Sequence, residues 1–85
     1  MATENFQIDK TDWFEITNVS LSFSVQVRSL DGFDGEFALS PTKPETGFSG
    51  FIGDSGETFF ITLDNGDKLW ARAITEPVNI IKEEV

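Results

Sequence analysis

Between Val19 and Arg28 the chain alternates without a break. Val19, Leu21, Phe23, Val25 and Val27 are apolar, while Ser20, Ser22, Ser24, Gln26 and Arg28 are polar. Neighbouring side chains of an extended strand point to opposite sides, so this beat makes one dry and one wet face, a half-buried β-strand. Shorter segments carry the same signal. Trp13-Phe14-Glu15-Ile16-Thr17 is aromatic and β-branched, and Glu36 to Ser40 sets Phe37 and Leu39 to one side. Glu57 to Leu63 opposes Phe59, Ile61 and Leu63 to Phe60, and Lys68 to Ile74 opposes Leu69, Ala71 and Ala73 to Trp70, Arg72 and Ile74. Val78 to Ile81 reads as a last short strand, and no stretch keeps a 3.6-residue period long enough for a helix.

Turn chemistry separates these segments. Asp31-Gly32-Phe33-Asp34-Gly35 supplies glycines that take positive φ cheaply and aspartates that bond their own backbone. Asp64-Asn65-Gly66-Asp67 predicts a type I′ hairpin joining the strands on either side of it. Pro41 to Gly56 is the longest irregular stretch, with four Gly and two Pro in sixteen residues. Loops of that length are commonly functional, or conceal a strand, and Gly47 to Gly53 is apolar enough to do so. Six or seven short strands with regular turns predict an all-β fold, a single small antiparallel β-sandwich or barrel, a jelly roll included, with no substantial helix. Residues 1–12 read as a flexible N-terminal arm, with Phe6 and Ile8 as its apolar points and docking on a neighbouring subunit as the alternative. The β domain spans 13–82, and 83–85 form a charged C-terminal tail.

Composition then narrows the function. The 85 residues include no Cys, His or Tyr, which removes the Ser-His-Asp triad, the thiol nucleophile and an ordinary zinc site. No enzyme, no cofactor and no metal is expected. Fifteen acidic against six basic residues, a net charge of −9, oppose binding to nucleic acid or to an anionic membrane surface. No apolar run approaches the roughly 20 residues that span a bilayer, and 1–12 lack the build of a signal peptide. Asp31, Asp34, Asp64 and Asp67 lie in glycine turns, where aspartate serves the backbone rather than acid–base or calcium chemistry. The glycines of the Gly47/Gly50/Gly53 set also read as turn glycines, not a phosphate loop.

Aromatic residues are the surplus. Nine Phe and two Trp are more than one thin core of this size readily covers. Trp13 and Trp70 read either as core or as an interface, since Trp buries well and is enriched at hot spots. Trp70 shares its strand face with Arg72 and Ile74, and Phe48, Phe51 and Phe60 raise the same question. The candidate interface residues are therefore Phe6, Ile8, Trp13, Phe48, Phe51, Trp70 and Arg72.

Five segments in order, Trp13, Ser24-Val25-Gln26-Val27, Phe37-Ala38-Leu39-Ser40 running to Pro44, Gly47-Phe48, and Leu69-Trp70-Ala71-Arg72 before a closing strand, resemble a recurring type of small bacteriophage virion protein. The resemblance spans about residues 13 to 82. It implies a non-enzymatic structural component of the particle, such as a capsid decoration, head-fibre base or tail accessory protein. It further implies assembly in the host cytoplasm, residence in the virion, and the major capsid or other virion proteins as partners. A homo-oligomer, a trimer by expectation, would bury the aromatic patch. The alternatives are a carbohydrate-binding or receptor-binding β module using exposed Trp or Phe, and an acidic DNA-mimic inhibitor of a host protein.

Overall fold

A computed structural model describes residues 3–8, 12–17, 22–28, 32, 34–63, 66–74 and 76–84. Through these residues run eight strands: β1 (Thr3–Ile8), β2 (Phe14–Thr17), β3 (Ser22–Arg28), β4 (Gly35–Ser40), β5 (Phe51–Gly53), β6 (Thr58–Thr62), β7 (Lys68–Ala73) and β8 (Val78–Glu84). They form two four-stranded sheets, ordered β1-β8-β3-β6 and β2-β7-β4-β5, with every strand pair antiparallel. No helix occurs among the described residues. The first sheet turns Ile8, Phe23, Val25, Val27, Ile61 and Ile80 inward, and the second answers with Ile16, Phe37, Leu69, Ala71 and Ala73. These side chains make one core between the layers, which is the sandwich that period-two patterning demands.

Strand β3 shows the pattern at work. Phe23, Val25 and Val27 are wholly buried and Ser24 and Gln26 lie on the other face, so the beat does fix which side is dry. Val19 and Leu21, which begin the same beat, lie outside the described residues, as do Asp31, Phe33, Asp64 and Asn65.

Four expectations need correction. The stretch expected as an arm contains β1, which pairs along its whole length with β8 and buries Ile8 in the shared core. An edge strand has one ladder to satisfy, so Phe6 and Ile8 alternating with polar residues are enough to hold it. The charged tail is likewise strand: Glu83 and Glu84 continue β8 opposite Thr3 and Phe23. Lys82 extends the inward row of Val78 and Ile80 and is only 4% exposed. Its stem packs while its ammonium reaches the Glu4 carboxylate at 2.8 Å and lies 5.8 Å from the Phe23 ring centre.

The Asn-Gly turn does not close a hairpin. Gly66 has the positive φ such a turn requires, at 82°. Yet β6 pairs with β3 and β7 pairs with β2 and β4, so the chain crosses there from one sheet to the other. A two-residue hairpin would set Leu63 opposite Lys68 and Thr62 opposite Leu69, turning Leu69 away from the core that Ile61 and Leu63 enter, whereas the crossing brings all three into it. Finally, three glycines taken for turn residues are packing residues. Gly35 opposes Gly53 in the β4–β5 ladder. A Cβ on Gly53 would lie 2.6 Å from the Phe37 ring and 2.8 Å from that of Phe59. On Gly50 it would lie 2.0 Å from the Phe37 carbonyl oxygen, a backbone atom that cannot swing away.

Candidate functional site

The outer face of the β2-β7-β4-β5 sheet is not a wet face. Trp13 precedes β2, Ala38 lies on β4 and Trp70 on β7, and together they form a second small core, with Trp13 3% and Trp70 7% exposed. Residues 41–50 make the cover. Leaving β4 at Ser40, the chain turns back across the sheet and is bonded to it at several points. The Trp70 indole donates to the Ser40 carbonyl at 3.0 Å, and the Trp13 indole to the Glu45 carbonyl at 3.1 Å. Lys43 and Asp12 add an exposed ion pair at 2.6 Å.

Arg72 ties the cover down from β7. Its Nε donates to Glu36 Oε1 at 2.7 Å, one terminal nitrogen to the Thr46 carbonyl at 2.6 Å, and the other to the Phe48 carbonyl at 2.8 Å. The guanidinium carbon sits 4.2 Å from the Trp13 ring centre, a cation–π contact. The planar fork of arginine suits this task, because one rigid group binds a carboxylate and two carbonyls while stacking on an indole. Glu36 uses its second oxygen to accept from the Gly50 amide at 2.7 Å, which seats the end of the cover against β4. Burial raises the Glu36 carboxyl, but the Arg72 hydrogen bond, the Gly50 amide and the Arg72 charge outweigh it and hold the group below its ordinary value. Asp12 is held low chiefly by its hydrogen bond from Lys43, against some desolvation, with help from the Trp13 amide.

The candidate interface residues therefore separate into groups. Trp13, Trp70 and Arg72 belong to the covered face, and Phe48 packs edge-on to Trp13 at 6.3 Å while remaining half exposed. Ile8 is core, and Phe6 closes the side of the sandwich between β1 and β2 by meeting Phe14 at 5.7 Å. Phe51 lies on the opposite side. It stacks on Phe37 at 5.6 Å and meets Phe59 edge-on at 6.5 Å, yet is 42% exposed. The residues missed by sequence reasoning are Glu36 and Gly50; an acid inside the strand pattern of β4 is the one signal that was available, and its place opposite Arg72 emerges only from the sheet order.

The two sides of the sandwich are unlike. On the first, β2 carries a register shift between Glu15 and Thr17, Glu15 faces Lys68 at 3.6 Å, and β1 carries the Glu4–Lys82 pair. Bulges and charges of this kind blunt an edge against further pairing. On the second side, β5 (Phe-Ile-Gly) and β6 (Thr-Phe-Phe-Ile-Thr) contain no charged residue, no proline and no register shift. Phe51, Ile52 and Phe60 are exposed along it, Phe60 to 80%.

Among the described residues no three His, Cys, Asp or Glu come together as metal ligands would. Asp34, expected as a solvated turn acid, accepts from the Ser55 amide at 3.1 Å and so ties the turn before β4 to the crossing between β5 and β6. Compared with family models, with curated proteins and with solved structures, the chain matches none.

Proposed function

We propose that this chain is a non-enzymatic structural module that acts through protein–protein contacts, a component of a phage particle of the capsid-decorating, head-fibre-base or tail accessory kind. The observation that carries the contact reading is the β5/β6 side, where exposed aromatics line two edge strands free of charge. Apolar exposure concentrated in this way marks a surface that another protein chain completes. The particle reading rests on the resemblance of residues 13 to 82, whose Trp13, Phe37-to-Ser40 and Leu69-to-Arg72 segments converge in the structure on one covered face. Burial of both tryptophans weighs against the sugar-binding alternative, since neither indole offers a free face for stacking.

The test is fractionation of an infected culture that carries this coding sequence. Particles purified on a density gradient are probed with antibody raised against the chain. A constant number of copies per particle, retained through a second gradient, supports the reading. Chain found only in the free pool at the top of the gradient overturns it.

A further inference from the structure

We infer that β6 pairs with β6 of a second copy, antiparallel and centred on Phe60, to make a two-fold dimer with one continuous eight-stranded sheet. This deepens the contact reading above and rests on it. Strand β6 is the outer strand of the β1-β8-β3-β6 sheet, so one row of its backbone donors and acceptors faces away from β3. Such a row is a template on which another extended strand can pair along its length. The sequence of β6 says which strand that is, because Thr58-Phe59-Phe60-Ile61-Thr62 reads nearly the same in both directions.

Turned about Phe60, the strand meets itself well. Thr58 faces Thr62 of the second copy on the outer surface, Phe60 faces its own counterpart, and Phe59 faces Ile61 on the inner side. Thr and Ser already pair in this way within the chain, where Ser22 Oγ and Thr62 Oγ1 lie 2.9 Å apart on adjacent strands. Opposed aromatics and opposed threonines are among the favourable cross-strand pairs. The pairing covers Phe60, the most exposed large apolar side chain among the described residues, and brings the half-exposed Phe51 of each copy towards its counterpart. Charge selects this strip as well. With a net charge of −9, two copies repel almost wherever they touch, whereas residues 58–63 hold no acid. The register sets Glu57 against Leu63 rather than against another carboxylate. An edge that meets its own copy antiparallel closes at two chains, not at the three expected from the sequence, because the interface is isologous.

A register this specific is tested with cysteine, which the natural chain lacks. Phe60→Cys places two Cβ atoms about 5 Å apart across the two-fold axis, whereas Thr58→Cys leaves its pair about 14 Å apart, four residues out of register. At micromolar concentration with a mild oxidant, Phe60→Cys is expected to convert to a covalent dimer at least ten times faster than Thr58→Cys, and mixed Thr58→Cys and Thr62→Cys chains to link to each other. Phe60→Lys, a change at an exposed side chain, is expected to halve the mass measured by sedimentation equilibrium with an unchanged far-ultraviolet circular dichroism spectrum. Equal linking at 58 and 60, a wild-type monomer throughout the micromolar range, or a Phe60→Lys mass unchanged from a wild-type oligomer overturns the pairing. If the same preparations still load onto particles, the contact reading survives and only this interface is lost.

Discussion

The two sheets present outer faces built from the same strand geometry and finished in opposite ways. On the β1-β8-β3-β6 sheet, β3 shows Ser22, Ser24 and Gln26 to water and β6 shows Thr58 and Thr62, with Phe60 standing clear of them. On the β2-β7-β4-β5 sheet, the corresponding positions are Trp13, Glu36, Ala38, Trp70 and Arg72, and residues 41–50 lie across them. The bare face contributes little stability beyond its ladder. The covered face adds a second core to a chain whose main core is thin for want of length. An 85-residue sandwich with no cysteine to form disulfides thus gains from three layers: a sheet, a sheet and a fastened loop.

The contrast is broken most severely at Trp13. Trp13→Ala removes an almost fully buried indole, its bond to Glu45, and the platform under Arg72. A loss of about 4 kcal/mol is expected, in the range of large aromatic truncations in cores. Phe60→Ala on the bare face deletes a ring too, but one that water already surrounds. Its cost should stay within about 0.5 kcal/mol, provided both are measured by urea unfolding below the concentration at which chains associate. Equal losses at the two positions would mean that the cover does not hold.

Arg72→Lys comes next. The lysine keeps the charge and reaches Glu36, but a single ammonium cannot serve a carboxylate and two separate carbonyls in one plane while stacking on an indole. A loss of about 2 kcal/mol is expected. Amide hydrogen exchange should quicken at Gly50, whose donor bond to Glu36 depends on that carboxylate being held in place. Exchange that quickens evenly over the whole molecule would argue instead that Arg72 acts only on global stability.

How much of this was legible in the chain follows from the range of the forces involved. Alternation acts between neighbours, so β3, β6 and β7 and their dry faces could be read from Phe23-Val25-Val27, Phe59-Ile61 and Leu69-Ala71-Ala73. At β4 the reading holds for Phe37 but not for Leu39, which is exposed while Ala38 is buried under the cover. Which strand lies beside which is decided across the whole chain. The Asn-Gly turn fits a hairpin locally, but its two-residue register would point Leu63 and Leu69 to opposite faces, and the crossing lets both enter one core. Trp70 and Arg72 sit on what the beat marks as an outer face, correctly, but alternation is silent about a loop that later covers it. Gly50 looked like punctuation because nothing near it in sequence is the Phe37 carbonyl that excludes a side chain there.

Acid sharpens the comparison with a smaller effect. Because the folded state holds the Glu36 carboxyl below its unfolded value of about 4.3, ionised Glu36 stabilises the fold, in full, above that value. The contribution fades as pH falls from there through the lower, folded value, since the protonated acid no longer pairs with Arg72. Glu36→Gln should therefore lower the melting temperature at pH 7 and flatten its decline between about pH 5 and 3. Asp12, held low by Lys43 at the rim of the cover, leaves some decline in place. A variant whose melting curve declines as steeply as that of the wild type would remove Glu36 from the fastening.

The smallest expected effect lies on the bare face, at Ser24. It stands in the middle of β3, opposite Phe60 on one side and Glu83 on the other, with its side chain partly exposed. A β-branched residue favours the extended backbone there and packs against the Phe60 ring, with no cover among the described residues for the added methyl to strike. Ser24→Thr should thus stabilise the chain by about 0.3 kcal/mol, read as a small rise in urea midpoint at constant slope. The sign matters more than the size. A loss at Ser24 would mean that this surface, too, is packed against something in the folded monomer, and the division into one fastened face and one open face would no longer stand.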